Sequence, residues 1–329
     1  MTRAVVLGSG GTRGGAWMVG ALLALRDAGT DVADADLVVG TSAGSLLAAL
    51  LALGVDLEAI ARHQHKAQAA EDPVLPLDYD DIAAAAALMH RHPFRPGEPH
   101  LLLAALAGRT PERLLPTLAG LLPRGEADAH LVGRTVRAAM PSPAAWPEQL
   151  RIMVLDASTG RRRSLGPADG VPLDEAVSAS CAVPRVFAPV PVQGHRWYDG
   201  GFASADSADL AGWLPDGRRV DEAVVLSPVT VVGEAWPPGL PSWVERRARA
   251  SLARVLTREL TLLRAAGVDV TLLQPVLADL QLMGPDLMAA GDLGPIVDLA
   301  RQTVAHRLSD DRPTSAAASS TRPVALVAM

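Results

Sequence analysis

The first fifty residues alternate short apolar runs with longer stretches of mixed polarity, and glycine marks the junctions. Arg3 to Leu7 reads as a β-strand that stops at Gly8. From about Ala16 to Ala28 the apolar Trp17, Val19, Ala21, Leu22 and Leu25 gather on one side of a helix that Gly29 ends. Asp36 to Val39 supplies a second strand, and Ala43 to Leu53 a second helix stopped by Gly54. This β-α-β-α order predicts an α/β protein, with a mainly parallel sheet between layers of helices.

The pattern changes from Leu57 to about Ala139. Ala- and Leu-rich segments at 57–70, 80–91, 100–107, 111–122 and 126–140 are separated by breaks bearing Pro and Gly, without a convincing strand. They predict a helical insertion, over about 57–140, that caps the sheet. Strand signals return at Leu150 to Leu155, Ser164-Leu165, Val186-Phe187 and Arg196 to Tyr198. Ala223 to Leu226 and Asp269 to Leu273 follow as parallel strands around a helix at about 241–266. We expect one domain over 1–308 and a flexible Ser-, Ala- and Pro-rich tail over 309–329. Leu37 to Val55 is uncharged and long enough to span a membrane, but Gly40, Ser42 and Gly44 interrupt it. A buried strand, turn and helix explain it better.

Composition narrows the classes. The 329 residues are 49% hydrophobic and 20% charged, which suits a packed core rather than disorder. A net charge of −6 gives no reason to expect nucleic acid as a partner. The single cysteine, Cys181, excludes an internal disulfide framework and fits a reducing, cytoplasmic setting. Met1-Thr2-Arg3 leads into an apolar run too short for a secretory leader. His63, His65, His90, His92 and His100 fall in the insertion without acidic partners at metal-ligand spacing, and read as solvent-facing. Arg246, Arg247, Arg249, Arg254, Arg258 and Arg264 crowd the 241–266 helix, as a solvated face or as a surface attracted to anionic bilayers.

Three segments carry chemistry. Gly8-Ser9-Gly10-Gly11-Thr12-Arg13-Gly14-Gly15 joins the first strand to the first helix. So glycine-dense a turn lets successive amides point into one concavity at a helix N-terminus, fit for a phosphate or a developing oxyanion. The dinucleotide fingerprint fails because Arg13 stands where a glycine is needed, and no Gly-Lys-Ser/Thr completes a Walker loop. Gly40-Thr41-Ser42-Ala43-Gly44 follows the second strand and suits a nucleophile elbow with Ser42 at its tip. A serine needs a base. Only His195 and His306 lie beyond the insertion, and neither has the chain position an α/β-hydrolase gives its histidine. Asp199, in Trp197-Tyr198-Asp199-Gly200-Gly201, is the other candidate; it needs desolvation to gain basicity.

In this order the segments resemble the patatin-like phospholipase family. Gly10 to Gly14 matches its oxyanion loop, Gly40 to Gly44 its elbow and Asp199-Gly200-Gly201 its acid turn. Ala179-Ser180-Cys181-Ala182-Val183-Pro184 is similar to a further family segment, and Gln274 to Met288 is a weaker echo of bacterial members. Ser9 stands where many members have glycine. The resemblance implies a three-layer α/β/α fold and a Ser42–Asp199 dyad acting on fatty-acyl esters of lipids. It implies oxyanion stabilisation around Gly10, Gly11, Thr12, Arg13 and Gly14, with Arg13 bracing the loop. Gly40, Gly44, Gly200 and Gly201 would support the turns, Cys181 would pack as a small residue, and no metal or cofactor is implied. The expected partner is a lipid substrate, with peripheral membrane contact. The alternatives are a non-catalytic binding protein on the same scaffold and a Ser–His–Asp esterase.

Overall fold

In a computed structural model, residues 1–88, 125–142, 145–230, 243–289 and 291–310 are described. The chain opens with β1 (Arg3–Leu7), α1 (Gly11–Asp27), β2 (Leu37–Thr41) and α2 (Ala43–Ala52). The helices α3 (Leu57–Gln64), α4 (Tyr79–Leu88) and α5 (His130–Ala139) follow. After them come β3 (Leu150–Asp156), β4 (Arg162–Leu165) and α6 (Leu173–Ser180). The hairpin β5 (Val190–Val192) and β6 (His195–Asp199) leads to β7 (Glu222–Leu226), α7 (Trp243–Ala265) and β8 (Asp269–Leu273). The short α8 (Leu277–Met283) and α9 (Gly294–Asp310) complete the described chain.

The strands form one sheet in the order β5-β6-β3-β2-β1-β7-β8, with β4 on β3. β2, β1, β7, β8 and the start of β3 run parallel, while β4, β5 and β6 are antiparallel. Both faces are covered, so the strands read as apolar runs rather than alternating patterns. Val5, Leu7, Val38, Ile152 and Leu226 face a core shared with α1, α2, α3 and α9. Ala4, Val6, Val39, Met153 and Val225 face a second core, filled by Ala208, Ala211 and Leu256, Leu260 and Leu263 of α7. This is the expected three-layer α/β/α arrangement.

One register decides the chemistry. Met153 pairs with Thr41 of β2, and the next residue, Val154, pairs with Asp199 of β6. β4 pairs with Ile152 to Leu155, which overlaps both sets. A strand has two edges, so β2 and β6 lie end to end along the same edge of β3. They run in opposite directions, and their C-terminal ends meet.

Local differences from the sequence reading have physical causes. Helix α1 begins at Gly11, not near Ala16, because the Gly14 amide already bonds to the Gly10 carbonyl at 2.9 Å. Tertiary contacts override the poor helix propensity of glycine there. Val186-Phe187 is no strand: Phe187 makes an isolated bridge to Ala127. Pro184 and Pro189 flank it and cannot donate to a ladder. Within the expected insertion α3, α4 and α5 are observed, whereas 100–107, 111–122, His90, His92 and His100 lie outside the described residues. Helix α9 reaches Asp310, two positions into the expected tail, and 311–329 lie outside as well. Among the described residues, no helix is long and apolar enough to cross a membrane.

Candidate active site

Ser42 sits between β2 and α2 with φ 55° and ψ −125°, a left-handed backbone that L residues adopt at a cost of about 1–3 kcal/mol. The turn is tight enough that a Cβ on Gly44 would overlap the Leu7 carbonyl oxygen and come 2.6 Å from the Gly8 oxygen. Glycine is therefore obligatory where α2 crosses the end of β1. The Ser42 amide donates to Ser180 Oγ at 2.9 Å, and Ser180 Oγ donates to the Met153 carbonyl at 2.7 Å. Two residues on, the Ala182 carbonyl accepts from the Asp199 amide at 3.0 Å. The Ala179–Pro184 segment thus holds the serine and the aspartate against the same strand. Sequence reasoning had placed this segment only by resemblance.

Asp199 ends β6 and is 2% exposed. Burial pushes its carboxyl up to about 7, against contacts from the Ser42 hydroxyl and the Gly201 amide that favour the ionised form. The Gly201 amide donates to Oδ1 at 2.8 Å. Cys181 is buried beside Ser45, Sγ to Oγ 3.8 Å; burial, with Asp199 adding to it, raises its thiol far above the range of a thiolate nucleophile.

The glycine-rich turn spends some amides and leaves others. Gly8 donates to Leu226, Ser9 to Ala205, Arg13 to Leu287 and Gly14 to Gly10, at 2.8–3.0 Å. The amides of Gly10, Gly11 and Thr12 have no acceptor among the described residues. Gly11 adopts φ +57°, and a Cβ there would stand 2.8 Å from the Leu287 oxygen. Arg13 Nη1 donates to the Met283 carbonyl at 2.6 Å, so its side chain clamps the turn to the C-terminal end of α8. Gly201 lies against the Ser9 hydroxyl, a Cβ on it falling 2.9 Å away. The glycine-rich turn and the Asp199-Gly200-Gly201 turn are therefore packed together, and Ser9 fills a contact between them.

Two further carboxyls, among several that are buried, lie close to this region. Asp206 is 1% exposed, lies against Gly8 and takes a 3.5 Å hydrogen bond from Thr230 Oγ1; burial pushes it up to about 7. Glu259 of α7 accepts from Ser204 Oγ (2.7 Å), the Ala208 amide (2.9 Å) and Arg162 Nη1 (3.0 Å), anchoring the chain that leaves Asp199. Burial, with Asp209 adding to it, raises Glu259 to about 8. An isolated Asp or Glu in a mixed segment carries no local signal of such burial.

A cavity with about 750 Å³ of space, part of it open to solvent, begins at Ser42. Ala43, Leu46, Leu47 and Leu50 of α2 form one wall, at the spacing of a single helix face. Thr12, Gly15 and Val19 of α1 form another, and Met288 stands among the lining residues. The candidate histidines of a triad lie elsewhere. His195 begins β6, four residues or about 13 Å from Asp199, stacks on Trp197 and is 3.5 Å from Asp156. His306 pairs with Asp310 at 3.0 Å on the exposed side of α9. Among the described residues, no group of three or more His, Cys, Asp or Glu side chains could hold a metal ion.

With this geometry in hand, comparison with known proteins places the chain. The sequence model of the patatin-like phospholipases matches residues 5–211, and the chain belongs to that family. No curated protein matches it. Among solved structures it is similar to VipD from Legionella pneumophila, at 12% identity and TM-score 0.43, over 94% of this chain and 67% of that one. The type III effector protein ExoU is similar at 19% identity and TM-score 0.36, over 94% of this chain. The chain spans 53% of that protein. The matched family region ends at 211, whereas the Arg13 clamp comes from residues 282–287 beyond it.

Proposed function

We propose that this protein hydrolyses acyl esters of lipids, with Ser42 as nucleophile and Asp199 as its base. One observation carries the reading: a serine on a strained elbow faces a buried, weakly acidic carboxyl at the head of an apolar cavity. An ordinary aspartate, with a pKa of ~3.9, is too weak a base for a hydroxyl, whereas one near neutrality is matched to physiological pH.

Ser42 Oγ bonds to the ester carbonyl carbon as its proton passes to Asp199. The carbonyl oxygen becomes an oxyanion beside the amides of Gly10, Gly11 and Thr12; one such donor is worth ~2.7–4 kcal/mol. The intermediate collapses, the bond to the alcohol breaks, and the alcohol leaves with the proton held by Asp199. Water then attacks the acyl-serine and gives its proton to Asp199. As the fatty acid departs, that proton returns to Ser42. Arg13 acts on the loop rather than on substrate, since its guanidinium is engaged by the Met283 carbonyl. The acyl chain lies along the α1 and α2 walls, each buried methylene contributing ~0.8 kcal/mol.

The test is fatty-acid release from phosphatidylcholine vesicles and from p-nitrophenyl esters. Wild type should turn over, with kcat/KM rising as pH climbs through about 7 and Asp199 ionises. Ser42→Ala should be inactive, and hydrolysis that persists in it would overturn the assignment.

A further inference from the structure

The Ser42 cavity also reaches the helices α3 and α4. Ile60, His63 and Gln64 of α3 line it together with Tyr79 and Ile82 of α4. Gln64 is 5% exposed, and its Nε2 donates to Tyr79 Oη at 3.4 Å. Its Oε1 is buried and has no hydrogen-bond partner among the described residues. Native proteins rarely leave a buried acceptor unpaired, and this one belongs to a side chain lining a ligand cavity. Burial pushes the Tyr79 phenol up to about 12, so it keeps its proton as a donor. His63 lies beside it, with ring centroids 5.6 Å apart and Nε2 3.0 Å from the Leu77 carbonyl. A carbonyl only accepts, so His63 donates from Nε2 and leaves Nδ1 as an acceptor when neutral.

We propose that Gln64 and Tyr79 form a polar subsite for an acyl chain that carries a hydroxyl near its far end, a refinement that rests on the acyl-hydrolase reading of Ser42. The chain hydroxyl donates to Gln64 Oε1 and accepts from the Tyr79 phenol, pairing the buried amide oxygen that an unsubstituted chain leaves unpaired. The α2 face from Ala43 to Leu50 spans about 10 Å, comparable to an extended medium-length acyl chain, which fixes the probe length below.

The experiment separates this subsite from the chemistry. Ser42→Ala protein is titrated calorimetrically with decanoic acid and with its ω-hydroxyl counterpart, so that binding is read without turnover. With Gln64 intact, the hydroxy acid should bind about tenfold tighter, the worth of one well-made buried hydrogen bond. In the Ser42→Ala background, Gln64→Leu should abolish or invert that preference, and Tyr79→Phe should reduce it. Should Gln64→Leu fail to fold, Tyr79→Phe carries the comparison. Equal affinities with Gln64 intact, or a preference that survives these substitutions, would overturn the subsite. Wild-type turnover of the matched p-nitrophenyl esters tests the acyl-hydrolase reading separately. A binding preference without Ser42-dependent turnover would support the subsite while removing that reading.

Discussion

Replacing Asp199 by asparagine should inactivate the protein and, above neutral pH, stabilise it. The carboxyl rises from 3.8 to about 7 on folding, chiefly because burial disfavours its charge. Below about pH 4 it is protonated in both the folded and the unfolded chain, and contributes no pH dependence. As pH climbs from about 4 to about 7 the unfolded chain loses this proton while the folded chain retains it, so stability falls. Above pH 7 the loss is complete at about 4 kcal/mol, since each pKa unit corresponds to ~1.4 kcal/mol. Asparagine has nearly the same shape and carries no charge. Its oxygen can accept from the Gly201 amide as Oδ1 does at 2.8 Å, and its amine can meet the Ser42 hydroxyl.

Allowing about 1 kcal/mol for imperfect contacts leaves a gain of about 3 kcal/mol at pH 8, on the order of 5 °C in Tm. At pH 4, close to the carboxyl's unfolded value of 3.8, the same allowance leaves no gain. Asp206 and Glu259 also rise on burial, but they are common to both proteins and cancel in the difference. Thermal unfolding followed by circular dichroism at pH 4, 6 and 8 measures it, alongside ester hydrolysis. A Tm difference that does not change with pH, or a variant less stable at pH 8, would refute a desolvated Asp199.

Other substitutions probe separate parts of the account. Gly44→Ala should lower stability by more than about 2 kcal/mol, because its Cβ meets the backbone of Leu7 and Gly8; Gly15→Ala, whose Cβ would stand 3.6 Å from that of Ala43, should change Tm little. Leu50→Phe, by shortening the cavity, should move preference toward shorter p-nitrophenyl esters, with kcat/KM on long chains falling about fourfold per excluded methylene. His195→Ala and His306→Ala should keep ester hydrolysis near the wild-type rate, and its loss in a folded histidine variant would favour a triad.

Part of this arrangement is legible in the sequence, and part is not. β1, β2 and α2 announce themselves through local signals: apolar runs of strand length, and glycines where backbones cross. The elbow is legible for the same reason, since Gly40 and Gly44 bracket Ser42 within five residues. The bond between elbow and acid is a different matter. Ser42 and Asp199 are 157 positions apart, and they meet because β2 and β6 share one edge of β3 at Met153 and Val154. No local periodicity encodes that register: the sequence offers Asp199 only as one candidate base, and the family resemblance is what joins it to Ser42. Ser180 shows the same limit, since its hydroxyl matters through a non-local bond to the Ser42 amide. Gln64 reads as an ordinary polar residue of α3 until α1, α2 and α4 enclose it.

The central claim is that the Ser42 oxygen is the nucleophile and that Asp199 activates it. A fluorophosphonate probe tests this most directly, with the modified residue located by peptide mass spectrometry. We expect the adduct on Ser42 alone, none in Ser42→Ala, and labelling slowed at least a hundredfold in folded Asp199→Asn, the lower range of general-base contributions. An adduct on another residue, or undiminished labelling of Asp199→Asn, would contradict the account.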